Sequence, residues 1–168
     1  MGSAYSTTLQ GAGEVAVFRY DPLTDQVLWV RKFSSPYLTL GNKIIEKTPG
    51  GDYLFCYRVS SATFTTSEIC TLQRSTGEVV GGSVWHYGPH TPMGDVVLHQ
   101  GALYAMGMAF APASTGDFFL MKIDLSNGNP LWTKVIKSPE TPAFSEAGSL
   151  LVDKDQNLVA TVFGGQIV

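Results

Sequence analysis

The stretch from Val15 to Val30, VAVFRYDPLTDQVLWV, decides the fold, because it occurs again in the same chain. It aligns without a gap on FFLMKIDLSNGNPLWT, which starts at Phe118, and Trp29 then falls on Trp132. A weaker copy between them, SEICTLQRSTGEVV, starts at Ser67. Repeats of this length are single supersecondary units that bury their apolar faces only by stacking on neighbours. The chain is therefore predicted to be a stack of similar units.

Each unit is interpreted as four short strands, a to d, separated by turns. Strands c and d are the two halves of the quoted stretch, and strand d carries the tryptophan. Strand b is a run such as YLFCYRV from Tyr53, LYAMGMAF from Leu103 or LVATVF from Leu158. Several runs are continuously apolar, which indicates sheets covered on both faces. No window shows helical spacing of apolar residues, so the predicted fold class is all-β.

The order of the strands along the chain is unusual. It runs c-d, then a-b-c-d twice, then a-b, so one unit is divided between the two ends. We expect four-stranded, β-propeller-like blades, about three repeats, with one blade split between the N- and C-termini. The predicted segments are a flexible N-terminal arm at 1–13 and a three-repeat domain at 14–168, made of an outer half-blade at 14–36, blades at 42–88 and 94–138, and an inner half-blade at 146–168.

The divided unit also predicts a function. Closed propellers usually have four to eight blades, and an unpaired apolar strand edge accepts a strand from another chain. We therefore expect a non-enzymatic structural protein that assembles with itself head-to-tail, as a filament or a closed ring, by completing the split blade between subunits. The strands at the expected subunit interface contribute Val15, Val17, Phe18, Tyr20, Leu158, Val159, Val162 and Phe163.

The repeat also resembles a known family. The stretch GDFFLMKIDLSNGNPLW, from Gly116, resembles the bacterial β-propeller repeat, and VFRYDPLTDQVLW looks like the same core. Both are similar to the quinoprotein-type repeat as well. The resemblance implies that the repeat tryptophans Trp29, Trp85 and Trp132 dock neighbouring blades. It also leaves open that the chain is a fragment of a larger quinoprotein-like propeller. The arginines, acidic residues and calcium site of the quinone enzymes have no counterpart here, so we expect no cofactor and no enzyme activity.

Other candidate sites have simpler explanations. The spacing of His86, His90 and His99 matches no established metal-ligand motif, and we expect loop histidines. The stretch from Asp153 to Asn157 alternates oxygen-bearing side chains as calcium loops do, but it lacks their glycine and distal glutamate. We interpret it as the turn between strands a and b. A binding module for a glycan or a peptide remains the alternative function, with its pocket where blade loops converge.

Cys56 and Cys70 stand at matching distances from the centre of one predicted hairpin. They are either a packed apolar pair or a cross-strand disulfide, and the choice depends on the compartment.

The composition excludes some partners. Charged residues make up 15% of the chain, against about 25% in a typical soluble domain, which favours broad surfaces that are covered rather than exposed to solvent. The net charge is −3 and the basic residues are scattered, so no nucleic-acid partner is expected. No apolar run is long enough to span a membrane. The compartment is left open, with an extracellular or cell-surface location favoured.

Overall fold

The computed structural model describes residues 2–7, 13–35, 38–48, 50–60, 65–85, 93–109, 117–136 and 144–164. The regular structure in these ranges is antiparallel β-strand. The strands are β1 (Gly2–Thr7), β2 (Gly13–Asp21), β3 (Gln26–Ser35), β4 (Leu38–Glu46), β5 (Tyr53–Ser60), β6 (Thr65–Leu72), β7 (Val79–Trp85), β8 (Met93–His99), β9 (Ala102–Ala109), β10 (Asp117–Asp124), β11 (Pro130–Ile136), β12 (Phe144–Val152) and β13 (Leu158–Gly164).

The chain divides into two compact units, Met1–Trp85 and His86–Val168. The first unit contains the N-terminal sheet, β1-β2-β3, and the first four-stranded sheet, β4-β5-β6-β7. The second unit contains the second four-stranded sheet, β8-β9-β10-β11, and the C-terminal hairpin, β12-β13. The prediction of an all-β chain with four-stranded antiparallel sheets is confirmed, and strands a, b, c and d of each full repeat are neighbours in that order.

The turns between strands c and d share one conformation. Gly77 and Gly128 have φ angles of 71° and 73°, and Asp25, at the equivalent position, has φ 56°. The amides of Gly77 and Gly128 donate to the carbonyls of Gln73 and Asp124, four residues earlier, at 2.8 Å each. Left-handed backbone favours glycine and is tolerated by aspartate, which explains why the repeat has these residue types there.

Each unit has an apolar core between its two sheets. In the first unit the core residues are Val15, Val17, Trp29, Tyr53, Phe55, Cys70 and Leu72. In the second unit they are Ala102, Tyr104, Met106, Phe118 and Leu150. In both cores alternate residues of strands b and c point at the neighbouring sheet, as the two-residue period of a strand requires.

The segment expected to be a flexible arm, 1–13, contains a strand. Gly2–Thr7 forms β1, which pairs antiparallel with β2 from Gly2 opposite Phe18 to Thr7 opposite Gly13. The edge of β2 on which the predicted addition of a strand from another subunit depends is therefore already paired from Gly13 to Phe18. The physical reason is that a ladder is made by main-chain groups, so a Ser/Thr-rich segment can occupy an edge that its composition does not reveal.

Candidate functional site: the N-terminal sheet and the C-terminal hairpin

Trp29 lies between the N-terminal sheet and the first four-stranded sheet. Its indole Nε1 donates to the Arg74 carbonyl oxygen at 2.9 Å, and its ring centroid is 6.3 Å from that of Tyr53. A Cβ atom added to Gly77 would lie 2.6 Å from Trp29 Cε3. Two separate features therefore require glycine at position 77. One is its positive φ angle, and the other is the close approach of the indole ring. We call this set of interactions the Trp29 contact.

The Arg74 turn is bound from both sheets. Its carbonyl also accepts from Arg19 Nη1 of β2 at 3.2 Å. Its amide donates to Asp52 Oδ1 at 3.0 Å, and its guanidinium pairs with Glu46 and lies 5.4 Å from the Tyr53 ring centroid. The turn is thus a rigid acceptor for the indole of the neighbouring sheet.

A cleft of about 520 Å³ opens beside the end of β2. Its lining combines residues of the N-terminal sheet with residues of the first four-stranded sheet, namely Arg19, Tyr20, Asp21, Pro22, Leu28, Ile44, Glu46, Tyr53 and Arg74. Two of the polar groups are engaged in the local turn. Asp21 accepts the Leu23 amide at 2.9 Å, and this bond, with those from Thr24, lowers the pKa of Asp21. The Tyr20 hydroxyl donates to Asp25, which raises the pKa of Tyr20.

The C-terminal hairpin is bound to its neighbour through a buried carboxylate. Asp95, on β8, accepts the Leu150 amide at 2.7 Å and the Ser149 hydroxyl at 3.2 Å through Oδ2. Its Oδ1 accepts the Val96 amide at 2.8 Å. The sequence alone does not predict this role of Asp95. Its partner Leu150 is 55 positions away, and no local signal connects the two residues.

Strand b of the C-terminal hairpin differs from the other b strands in exposure. Leu54, Tyr104 and Val159 occupy equivalent positions, because they lie opposite Ile45, Val97 and Leu151 of strand a. Leu54 is 3% exposed and Tyr104 is 8% exposed, whereas Val159 is 44% exposed. Within the described residues β13 pairs with β12 alone. One edge and one apolar face of the hairpin are therefore open there.

The N-terminal sheet shows the matching exception in strand c. Tyr20 is equivalent to Leu72 and Ile123, which lie opposite Tyr53 of β5 and Leu103 of β9. Leu72 is 0% and Ile123 2% exposed, whereas Tyr20 is 39% exposed.

The remaining predicted interface residues differ in burial. Val15 and Val17 are fully buried in the first core, and Phe18 is half-buried. Leu158 and Val162 pack against the second core. The Phe163 backbone lies opposite Glu146, and its side chain is outside the described part of the chain.

Of the other two predicted docking tryptophans, the structure describes the side chain of one and only the backbone of the other. Trp132 is half-buried against the second core, with its ring centroid 6.0 Å from that of Tyr104 and Lys134 Nζ 5.4 Å above it. The backbone of Trp85 lies opposite Ser67, and its side chain is outside the described residues.

Both cysteines are buried, and they are not joined to each other by a disulfide bond. Cys56 lies opposite Ile69, and Cys70 lies opposite Phe55. Adjacent pairs in a ladder point to opposite faces of the sheet, so the two sulfur atoms are on different faces and the cross-strand disulfide is excluded. The packed apolar interpretation remains. Burial, and secondly the charge of Glu68, raise the pKa of Cys70 to about 12, which keeps the thiol protonated and unreactive.

Of the three histidines considered as metal ligands, His99 alone lies in the part of the chain that is described. His99 lies beside Tyr104, with ring centroids 6.0 Å apart, while His86 and His90 are outside the described residues. No group of three or more His, Cys, Asp or Glu side chains in the described ranges is placed to bind a metal ion. Asp153 accepts the amides of Asp155 and Asn157 at 2.9 and 2.8 Å, and these bonds, that of Asn157 first, lower its pKa.

Comparison with known proteins identifies no relative. Neither the family models nor the curated proteins give a match to this chain. A helical membrane crossing needs a long apolar helix, and the described ranges contain none.

Proposed function

We propose that the protein is a non-enzymatic structural protein with propeller-type blades that assembles head-to-tail. The C-terminal hairpin of one copy supplies strands a and b, and β2 and β3 of the next copy supply strands c and d. The observation that carries this proposal is the exposure pattern. Val159 and Tyr20 are the exposed members of two sets of equivalent residues whose other members are buried, and they belong to the two halves of the same divided repeat.

The expected pairing follows from the registers of the complete sheets. Tyr53 lies opposite Leu72, and Leu103 lies opposite Ile123, so Leu158 of one copy is placed opposite Tyr20 of the next. Val159 and Leu151 then face the first four-stranded sheet of the second copy. Strand addition supplies main-chain hydrogen bonds, and the buried apolar side chains set the register. The contact joins two different surfaces, so it closes into a ring or continues as a filament.

The Trp29 contact supports the same arrangement. Within one chain, the tryptophan of strand d binds the c-d turn of the following sheet. Trp132 is the equivalent residue in the second four-stranded sheet, where the following sheet is the C-terminal hairpin, whose described residues form strands a and b. The turn from Asp21 to Asp25 of the next copy would provide the c-d turn, with Asp25 in the same left-handed conformation as Gly77.

The test is sedimentation velocity and negative-stain imaging over a wide range of concentrations. The wild type is expected to form larger species as the concentration rises. Val159→Lys places a charge on the exposed face of the hairpin and should weaken assembly by about tenfold or more, equivalent to about 1.4 kcal/mol. Val79→Lys is the matched control, since Val79 is an exposed valine on strand d of a complete sheet. Compact monomers at every concentration, or equal effects of the two variants, would contradict the proposal.

A ligand-binding module is the second candidate, favoured by the cleft beside β2. Two tyrosine rings and two arginine side chains line it, and aromatic faces with nearby polar groups suit a sugar or an extended peptide. A thermal-shift screen with oligosaccharides, repeated on Tyr20→Ala, tests this function. A ligand-dependent rise in Tm that Tyr20→Ala removes, with an unchanged monomer mass, favours binding over assembly.

A further inference from the structure

Strand β1 has the position in the N-terminal sheet that strand b has in the complete sheets. It pairs with β2, which is strand c, on the edge opposite β3, which is strand d. In the complete sheets that edge is paired by β5 and β9, respectively. By the repeat, the strand b that belongs with β2 is β13, so β1 fills the place of a strand encoded elsewhere in the sequence.

The replacement is shorter than the strand it replaces. Strand β9 pairs with β10 along its full length, from Asp117 to Asp124. In the described residues, strand β1 pairs with β2 from Gly13 to Phe18. The last three residues of β2, from Arg19 to Asp21, extend past the register of β1, and the cleft is lined by those three residues.

The uncovered end of β2 fits the start of β13. At the equivalent positions of the complete sheets, Ile123 and Asp124 pair with Leu103 and Ala102 of strand b. The cleft therefore occupies the space of the first residues of strand b, with Ile44 and Tyr53 of the next sheet as its far wall. In β13 the corresponding residue is Leu158, followed by the exposed Val159.

We propose that the cleft is the docking site for the first residues of β13 of a second copy, and that β1 is a displaceable strand that this incoming strand replaces. The inference rests on the head-to-tail assembly proposed above. The exchange returns the main-chain hydrogen bonds that β1 loses and adds pairs at Arg19 to Asp21. It also buries Leu151 and Val159, which are exposed in the single chain. Main-chain pairing contributes affinity here and the apolar side chains contribute specificity.

The displacement of β1 sets the protein concentration at which assembly occurs. A strand already on β2 competes with the incoming strand, so the apparent affinity is the intrinsic affinity multiplied by the fraction of molecules in which β1 has left. Minor states of this kind are populated at about 0.1–10%. The single chain is therefore held back from assembly at low concentration, and its aggregation-prone edge is covered until a partner binds at the cleft.

Two variants test the exchange. Deletion of residues 1–7 removes β1 and should lower the concentration needed for assembly by at least about tenfold. The double variant Ala4→Cys with Ala16→Cys joins two residues that lie opposite each other. With the crosslink confirmed by mass spectrometry, the oxidised form should remain monomeric, and reduction should restore wild-type assembly. The reduced form is the matched control.

The outcomes separate this inference from the proposed function. If the deletion variant, the wild type and the reduced double variant all stay monomeric, head-to-tail assembly itself is wrong. If the oxidised double variant assembles as the wild type does, or the deletion has no effect on an assembling protein, assembly stands and the displacement of β1 is wrong. If a short oligosaccharide binds the cleft at the same affinity in wild type and oxidised double variant, and neither assembles, the cleft is a ligand site.

Discussion

The N-terminal sheet and the C-terminal hairpin differ in how the outer edge of each is paired. The edge of β2 is paired with β1, a segment outside the repeat, whereas β13 pairs only with β12 in the described residues. They also differ in how they bind the neighbouring sheet. Both pack through an apolar core, to which the N-terminal sheet adds the Trp29 contact and the hairpin adds hydrogen bonds to the buried Asp95 carboxylate. The comparison shows that two sheets with the same strand pattern can be attached to their neighbours by different kinds of contact.

Replacing the tryptophan of the N-terminal sheet should have the largest effect. Trp29→Ala removes a buried indole and its bond to Arg74, and such substitutions cost about 3–5 kcal/mol. Trp132→Ala removes a half-buried ring and should cost about 1–2 kcal/mol. The free energy of unfolding is measured by urea titration with circular dichroism, at a concentration where the protein is monomeric. Leu23→Ala, at an almost fully exposed turn residue, is the control. Equal losses for the two tryptophans would show that the two contacts are energetically alike.

The second prediction concerns the glycine under that indole. Gly77→Ala must adopt a positive φ and also displaces the Trp29 ring, so a loss of about 2–4 kcal/mol is expected. Gly101→Ala is a matched control, because Gly101 has φ 72° and open space around the added Cβ. It should lose only about 1–2 kcal/mol. The difference between the two losses in free energy of unfolding measures the contribution of the close approach of the ring. Equal losses would show that Gly77 is not needed for the Trp29 contact.

The third prediction concerns the hydrogen bonds between Asp95 and the C-terminal hairpin. Asp95→Ala leaves the Leu150 amide without its carboxylate acceptor, which costs about 1–3 kcal/mol when the group stays buried. Hydrogen exchange should accelerate at Leu150 more than at residues of β10. Asp155→Ala, an exposed turn carboxylate paired with Lys154, should change stability by about 0.5 kcal/mol or less. Unchanged exchange at Leu150 would show that packing alone fixes β12.

The Trp29 contact and the pairing of β1 show which parts of the fold can be predicted from the sequence and which cannot. The tryptophan motif was readable because strand, turn and tryptophan recur at fixed spacing within about 16 residues. The order of strands in the complete sheets followed from the same spacing. The pairing of β1 was not readable, since main-chain hydrogen bonds leave little trace in side-chain composition. Asp95 was missed because its acceptor role depends on a strand 55 positions away.

The cysteine pair shows a different limit of the sequence. Cys56 and Cys70 do lie in one hairpin, as predicted. The face of the sheet on which each side chain lies, however, depends on the register of the two strands. A shift of one residue moves a side chain to the other face, and here Cys70 pairs with Phe55 rather than with Cys56. The position of each strand was predictable, and the single-residue register that decides bonding was not.

The last prediction is a pH dependence, confined to alkaline pH, at the core that the N-terminal sheet covers. Burial raises the pKa of Cys70 from its ordinary value of 9.0 to about 12, with the charge of Glu68 as the second cause. Burial and the hydrogen bond to Glu68 raise the pKa of Tyr57 as well. A raised pKa of this kind gives a contribution to stability that is fully present below the unfolded-state value. It is lost as pH rises through the folded-state value, because the unfolded chain ionises first. Stability should therefore fall between pH 9 and 12.

Cys70→Ala should flatten that decline without reversing it, since Tyr57 still contributes in the same direction. The measurement is the free energy of unfolding of wild type and variant at pH 8 and at pH 10.5, with the difference between the two slopes as the readout. The native wild type should also resist a thiol reagent at pH 8 and react once urea unfolds it, because the buried thiol stays protonated. Parallel slopes would mean that the core under the N-terminal sheet admits water, and that the Trp29 contact seals it less completely than its geometry indicates.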